Sequence, residues 1–418
     1  MFRRLAILLS ILLWPGLALA QSGGLAGGLG DAVSPSSFSG LLDLRASAAD
    51  GERSWLAGGF GKTRVSGGDA RFDVGEADLA WRPRFGFDWS AVVEAEIQPD
   101  HDHGLRVGEA YLKYKPLIGD GWHASARAGL FYPPISLEHG GPFWTPTETI
   151  TPSAINSWVG EEVKVGGLEA SVSRDFGGQS VGVTLAVFGF NDTAGTLMAV
   201  RGWSLDDVRA NASGHYPLPQ LSAFLNLVQP PETIPVIDID HRVGAYGRLD
   251  WRPTGRLALN AVYYDNSADP TAENANDLWA WHTQFADLGA AWQIDDSTRL
   301  LAQAMTGRTR MGYSAPELWV NTTFTAGYVL LTRAIGEDSV TGRADVFSTA
   351  NHTDDYYGLT QETGWALTAD YRKHLTDHVS GLIELLHVES DRPGRNDVLG
   401  EAAMQRQTAV QAALRLSF

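Results

Sequence analysis

The sequence predicts an all-β chain, a transmembrane antiparallel β-barrel of about sixteen strands with short turns at one end and long loops at the other. Three observations predict it. Apolar and polar residues alternate with period two in sixteen separate segments, the pattern of strands with one greasy and one wet face. The links between these segments alternate short and long without a break, which a soluble sandwich has no reason to do. Beyond the first twenty residues no stretch approaches the ~20 apolar residues of a membrane helix, although Gly (46), Trp (14), Tyr (12) and Phe (16) are plentiful.

Strands are expected near 40–49, 73–82, 88–98, 107–115, 122–132, 164–174, 180–190 and 242–252. The second half adds 256–265, 285–294, 298–307, 322–332, 339–349, 362–373, 378–388 and 408–418. In the third, Trp89, Ala91, Val93, Ala95 and Ile97 alternate with Ser90, Val92, Glu94, Glu96 and Gln98. In the last, Val410, Ala412, Leu414, Leu416 and Phe418 share one face, and Gln411, Ala413, Arg415 and Ser417 the other. Short links fall at 83–87, 116–121, 175–179, 253–255, 295–297, 333–338 and 374–377. Long links fall at 50–72, 99–106, 133–163, 191–241, 266–284, 308–321, 350–361 and 389–407. Segment 54–60 belongs in the first long loop, because a seventeenth strand places the two ends of the chain on opposite sides. Trp81, Trp89, Tyr114, Trp122, Tyr132, Trp251, Tyr263, Trp292 and Tyr371 lie near strand ends, where amphipathic rings settle at headgroup level.

Residues 1–20 read as a secretory signal: Arg3 and Arg4, an apolar run from Leu5 to Leu17, and Ala18-Leu19-Ala20 before Gln21. Residues 21–39 follow as an N-terminal segment, and 40–418 form the barrel. Removal of the signal leaves 398 residues and a net charge of −19, which argues against nucleic acid as a partner. The absence of Cys excludes disulfides, a lipid-anchor cysteine and a thiolate nucleophile. No P-loop, dinucleotide fingerprint, H-E-x-x-H or G-x-S-x-G is present, so no enzymatic activity and no cofactor are expected. His101-Asp102-His103, His352 with Asp354 and Asp355, and Asp238-Ile239-Asp240 lack a metal-ligand spacing, and no metal is expected.

Sixteen strands enclose an interior too wide for their own side chains to fill, so water is expected in the lumen. Its wall is mixed in sign. Arg45, Lys113, Arg127, Arg248, Arg256, Arg299, Arg343, Arg372 and Arg415 are expected inward, with Asp43, Glu76, Asp78, Glu94, Glu96, Glu109, Glu169, Asp345 and Asp370. Of these, Glu94, Glu96, Glu109, Lys113, Arg127, Arg248, Arg343 and Asp345 are the candidates to line a pore, where opposed charges order dipolar solutes. Only the strand at 378–388, with Leu382, Leu386 and Val388, turns large apolar residues inward. Two loops, 133–163 and 191–241, are long enough to enter the barrel. Phe143, Trp144 and Trp158 of the first and Trp203 of the second are candidates for a constriction. The second is also expected to hold a short helix with Ser204 as N-cap and Asp206 and Asp207 in its first turn.

Phe418, closing such a strand, resembles the C-terminal signal of bacterial outer-membrane barrels that is read by their assembly machinery. The segment R-A-G-L-F-Y-P-P-I-S-L-E, Arg127 to Glu138, resembles a strand end and turn of the phosphate-selective porin O/P group. The chain departs from that group in lacking the dense lysines and arginines of a phosphate path. A longer likeness, to uncharacterised proteobacterial porin-like proteins, rests on L-L-D-L-R from Leu41, T-P-S-A-I-N-S-W-V-G-E-E from Thr151 and Y-Y-D-N from Tyr263. These resemblances imply a Gram-negative outer-membrane porin exported through the Sec pathway, with periplasmic short turns and external long loops. They imply passive entry of small hydrophilic solutes or ions, a homotrimer, and a surround of outer-membrane lipid and lipopolysaccharide. Two other readings stay open: a structural or adhesive barrel with a blocked lumen and partner-binding loops, and a barrel-wall lipid hydrolase.

Overall fold

The computed structural model describes residues 34–68, 70–98, 104–313, 318–353 and 361–418, with no side-chain placement for 397 and 398. Sixteen antiparallel strands close into a barrel. They are β1 (Phe38–Ala49), β2 (Ala70–Trp81), β3 (Trp89–Ile97), β4 (Arg106–Tyr114), β5 (Trp122–Phe131), β6 (Val165–Phe176), β7 (Gln179–Gly189) and β8 (Gly244–Thr254). The rest are β9 (Leu257–Asp265), β10 (His282–Asp295), β11 (Thr298–Met311), β12 (Val320–Ile335), β13 (Asp338–Asn351), β14 (Glu362–Thr376), β15 (Val379–Asp391) and β16 (Met404–Ser417). Each pairs with the next in sequence, and β1 closes the circle on β16 with Leu42 opposite Leu416. All sixteen expected strands are present, and 54–60 lies in the first long loop, where Trp55–Ala57 forms a single 3-10 turn. The expected signal sequence, His101 to His103, and Asp354 and Asp355 lie outside the described residues.

Period-two patterning sorts the side chains. Leu185, Leu249, Leu288, Val329, Val346, Leu367 and Ile383 point outward and are exposed, an apolar belt that is stable only against hydrocarbon. Trp89, Trp122, Trp251, Trp292 and Tyr371 ring its short-turn margin and stay exposed. Tyr132 departs from the expected girdle: it is buried inside, its hydroxyl near Gly160 O (3.0 Å) and Ala210 O (2.9 Å). Arg256 also departs from its expected place, lying in the turn between β8 and β9 and pairing with Asp296 at 2.7 Å. Between β6 and β7 the turn is Gly177-Gly178, both at positive φ (55° and 81°), as a tight twisted hairpin requires.

At the seam the Phe418 and Gly40 backbones exchange two hydrogen bonds of 3.2 Å, and the Phe418 ring lies over Gly40, where any Cβ collides with it. Deleting Phe418 removes this clasp from the closing strand. The heat-modifiable, folded fraction should fall while synthesis continues, and an unchanged folded yield counts against an assembly role.

Candidate functional site: the loop-filled lumen

Both long loops enter the barrel at the long-loop end. Residues 133–164 carry α1 (Ala154–Glu162), every residue of which is buried. Ser153 caps it, its hydroxyl accepting from Asn156 N at 3.3 Å, and Ala154 N donates to the wall carboxylate of Asp345 at 3.1 Å. Negative charge at a helix N-terminus is favourable on both counts, dipole and hydrogen bond. Glu138 organises the same end, accepting from Ser153 N (3.0 Å) and Asn156 Nδ2 (2.6 Å) and pairing with Arg343 (3.2 Å). Arg343 also holds Asp345 (2.8 Å) and Thr151 O (2.6 Å). Glu384 accepts from Ile150 N and Thr151 N at 2.8 and 3.0 Å.

The second loop docks on the other end of α1. Glu162 accepts from Trp158 Nε1 (2.6 Å) and Leu197 N (2.8 Å), and Glu161 pairs with Arg201 (2.6 Å). The short helices of this loop are α2 (Thr196–Val200) and α3 (Leu225–Val228), and neither is begun by Ser204. Residues 204–211 run non-helical and buried, because long-range partners claim the groups that a helix cap needs. Ser204 Oγ donates to Glu161 at 2.8 Å, Asp206 accepts from Trp55 Nε1 at 2.8 Å, and Asp207 accepts from Arg45 at 2.6 Å and Arg64 at 2.9 Å. Burial alone raises Asp207, but the two guanidiniums outweigh it and hold the carboxyl well below its usual range. Arg209 reaches Glu76 (2.7 Å), Asp78 (3.1 Å) and, more weakly, Glu96 (3.8 Å) on the wall. The Gln98 amide brackets it, accepting from Arg209 N at 3.1 Å and donating to Arg209 O at 3.0 Å.

An aromatic core joins loops to wall. Trp158 and Trp203 are fully buried, and Trp158 contacts Phe285 and Phe324 with ring centroids 5.4 and 5.0 Å apart. Phe188, Tyr264 and Phe285 stack in series at 5.0 and 4.7 Å, and Phe347 lies beside Trp203. The expectation that only 378–388 turns large apolar residues inward is therefore corrected: β7, β9, β10, β12 and β13 do so as well. Water in the lumen is corrected in the same region. Strand side chains alone do not fill a sixteen-stranded barrel, but the inserted loops do, with Trp55, Lys62 and Arg64 of the first long loop buried against the second.

Among solved structures the chain is similar to the outer membrane channel DcaP of Acinetobacter baumannii, at 12% identity over 92% of this chain and 99% of that one, with a TM-score of 0.57. It is also similar to OmpT, an outer membrane protein of Vibrio cholerae, at 8% identity over 91% and 97%, with a TM-score of 0.51. The anion-selective porin from Comamonas acidovorans matches at 13% identity over 91% and 98%, with a TM-score of 0.50. This is a porin fold. Neither a protein-family model nor a curated protein sequence matches.

Within that porin fold, the short-turn end stays open. A vestibule of about 500 Å³ opens there, lined by Lys115, His123, Ser125, Glu169, Arg248 and Asp250 and roofed by Pro134 and Ser136 of the inserted loop. Arg127 holds Glu169 through two bonds of 2.8 and 3.0 Å, and Arg248 pairs with Asp250 at 2.6 Å. Of the other pore candidates, Glu94 pairs with Arg82 (2.7 Å), Glu109 accepts from Tyr132 N (2.8 Å), and Lys113 faces Arg127 across the strands. Glu94, Glu96, Arg343 and Asp345 are buried beneath the loops. Phe143 packs on Leu41 and Ala80, and Trp144 stacks between Tyr132 and His139 at 4.0 and 3.6 Å. The arrangement leaves an open, charge-lined cavity at the short-turn end beneath packed loops.

Asp192, Asp238 and Asp240 bring three carboxylates within 4.8 Å in the second loop. Their oxygens serve the backbone: Asp192 accepts from Ile239 N and Asp240 N at 2.5 and 3.2 Å. Burial pushes Asp192 up to about 6; the two amides pull it down, and Asp240 and Asp238 push it up. A folded value above the unfolded one means that this clasp gains stability as pH falls from about 7 toward 4. Exchange of the Ile239 and Asp240 amides, corrected for intrinsic rate, should slow between pH 7.5 and pH 5, and Asp192→Asn should abolish the trend. Faster exchange at pH 5 contradicts this.

Proposed function

We propose that the chain is a porin-type channel of the Gram-negative outer membrane whose passage is closed, in this state, by its own two long loops. Export through the Sec pathway with cleavage before Gln21, long loops outside and a homotrimeric assembly belong to the same proposal. Its cargo is small hydrophilic solutes or ions. The observation that carries the reading is the open vestibule lined by charges of both signs directly under a loop plug that is tied to the wall by charge pairs. Such ties can exchange partners with water and ions, whereas a uniformly apolar filling cannot. The vestibule sets Lys115, Arg248 and Arg252 against Glu169 and Asp250, a balance that gives no dedicated phosphate path.

The dense aromatic packing around Trp158 favours a second reading, a structural barrel that never opens. Proteoliposome swelling with a small sugar separates the two. A variant with residues 193–239 replaced by a short Gly-Ser linker should swell rapidly and wild type slowly. A folded, inserted variant that does not swell leaves the structural barrel standing.

A further inference from the structure

On the outward surface of β9 to β13 two features lie one above the other. Toward the long-loop end, Arg308 and Arg310 are alternate residues of β11 and share the outward face. Arg308 stands between Gln284 and Thr323 on the flanking strands, and Arg310 between His282 and Asn321. Asn321 Oδ1 accepts from Arg308 Nε at 2.6 Å, and Arg310 Nη2 donates to His282 Nδ1 at 2.7 Å. The guanidinium donates to Nδ1, and the other ring nitrogen, Nε2, lies 3.0 Å from Asp265 Oδ1. Arg308 is thus met by a neutral amide while Arg310 reaches the Asp265 carboxylate through His282, and Arg310 Nε is buried without a partner among the described residues.

Lower on the same face a groove of about 770 Å³ opens between the strands. Ala302 and Ala304 of β11 form its floor, and Val329 and Leu288, their opposite numbers on β12 and β10, form its walls. Between groove and arginines the Thr306 and Thr325 hydroxyls face each other at 3.3 Å. Outward positions along β11 therefore read alanine, alanine, threonine, arginine, arginine. From Ala302 to Arg308 is about 20 Å of strand at ~3.3 Å per residue, which on a tilted strand is about one leaflet of a ~30 Å hydrocarbon core. The sequence of environments is that of an acylated phosphate: chain, ester level, headgroup.

We propose that this face binds a phosphorylated lipid of the leaflet on the long-loop side, its phosphate on Arg308 and Arg310 and an acyl chain in the groove beneath. The proposal rests on the barrel standing in a membrane, and is independent of whether the lumen conducts. Paired guanidiniums suit a phosphate because their forked donors match its oxygens. The groove makes the lipid, rather than free phosphate, the occupant.

Native mass spectrometry of the purified barrel in detergent tests it, with phosphatidic acid, phosphatidylcholine of the same chains, and inorganic phosphate as probes. Wild type should retain phosphatidic acid over phosphatidylcholine. Arg308→Gln/Arg310→Gln should bind phosphatidic acid at least about tenfold more weakly, the loss expected from one or more charge-assisted bonds. Ala304→Leu, which fills the groove on a lipid-facing surface, should weaken it with both arginines intact. Heat-modifiable mobility confirms that each variant is folded. Equal retention of the two lipids, or wild-type retention by the folded double variant, overturns the proposal. So does inorganic phosphate competing as well as the lipid while Ala304→Leu has no effect.

Discussion

Replacing Arg209 with methionine should release the second loop from the wall and turn a closed barrel into one that opens in bursts. Arg209 is the shared cation of Glu76 and Asp78, with Glu96 close by, all buried. Removing it leaves those carboxylates without their counter-ion, and breaking a buried pair in this way costs about 3–5 kcal/mol. At about 1.4 kcal/mol per tenfold, the ratio of docked to undocked loop falls by about two to three and a half orders of magnitude. Undocking hydrates the stranded carboxylates, so relief comes by opening rather than by repacking. Planar-bilayer recording should show brief openings in Arg209→Met that are rare in wild type. Asp78→Asn should do much less, because Glu76 still pairs with Arg209. Equal behaviour of the two variants contradicts the assignment of Arg209 as the anchor.

Trp158→Ala should be the most damaging single change to the packing of the plug. Its ring is fully buried against Trp203, Phe285 and Phe324, and its Nε1–H is used by Glu162. Removing a large buried aromatic costs about 3–5 kcal/mol, more where the surroundings cannot collapse. A rigid barrel wall on one side and α1 on the other make collapse poor here. Glu162 also loses a donor but keeps the amides of Gly195 and Leu197. Limited proteolysis of the folded barrel should show the loops cut faster in Trp158→Ala, while the strands remain protected. Trp144→Ala, at a half-buried site stacked between Tyr132 and His139, should have the smaller effect, and the reverse order contradicts this packing.

The strands were legible because two media impose period two on them: lipid outside, polar groups or loop inside. The alternation of short and long links was legible for the same reason, since it needs only composition along the chain. The filling of the lumen was not, because it is made by pairs far apart in sequence. Arg209 meets Glu76, Asp78 and Glu96 only after the barrel has closed, and α1 meets Asp345 and Gln303 from the opposite wall. One signal was present all the same. Phe285, Phe324 and Phe347 fall in the inward phase of their strands, and rings that large have no place in a hydrated lumen without something apolar to meet them. Ser204 followed by Asp206 and Asp207 reads as a helix start from local chemistry alone. The arginines that hold the chain out of a helix there, Arg45 and Arg64, lie 162 and 143 residues from Asp207 in sequence.

Thiol accessibility tests the closed lumen most directly, because the chain contains no cysteine of its own. Ser204→Cys places a thiol at a fully buried position of the inserted loop, and Ser125→Cys places one in the vestibule. With a small charged methanethiosulfonate reagent on the folded, membrane-inserted barrel, the Ser125→Cys thiol should react rapidly and the Ser204→Cys thiol should stay unlabelled until the barrel is unfolded. Labelling of both at similar rates means a water-filled lumen along its whole length, and contradicts the plug.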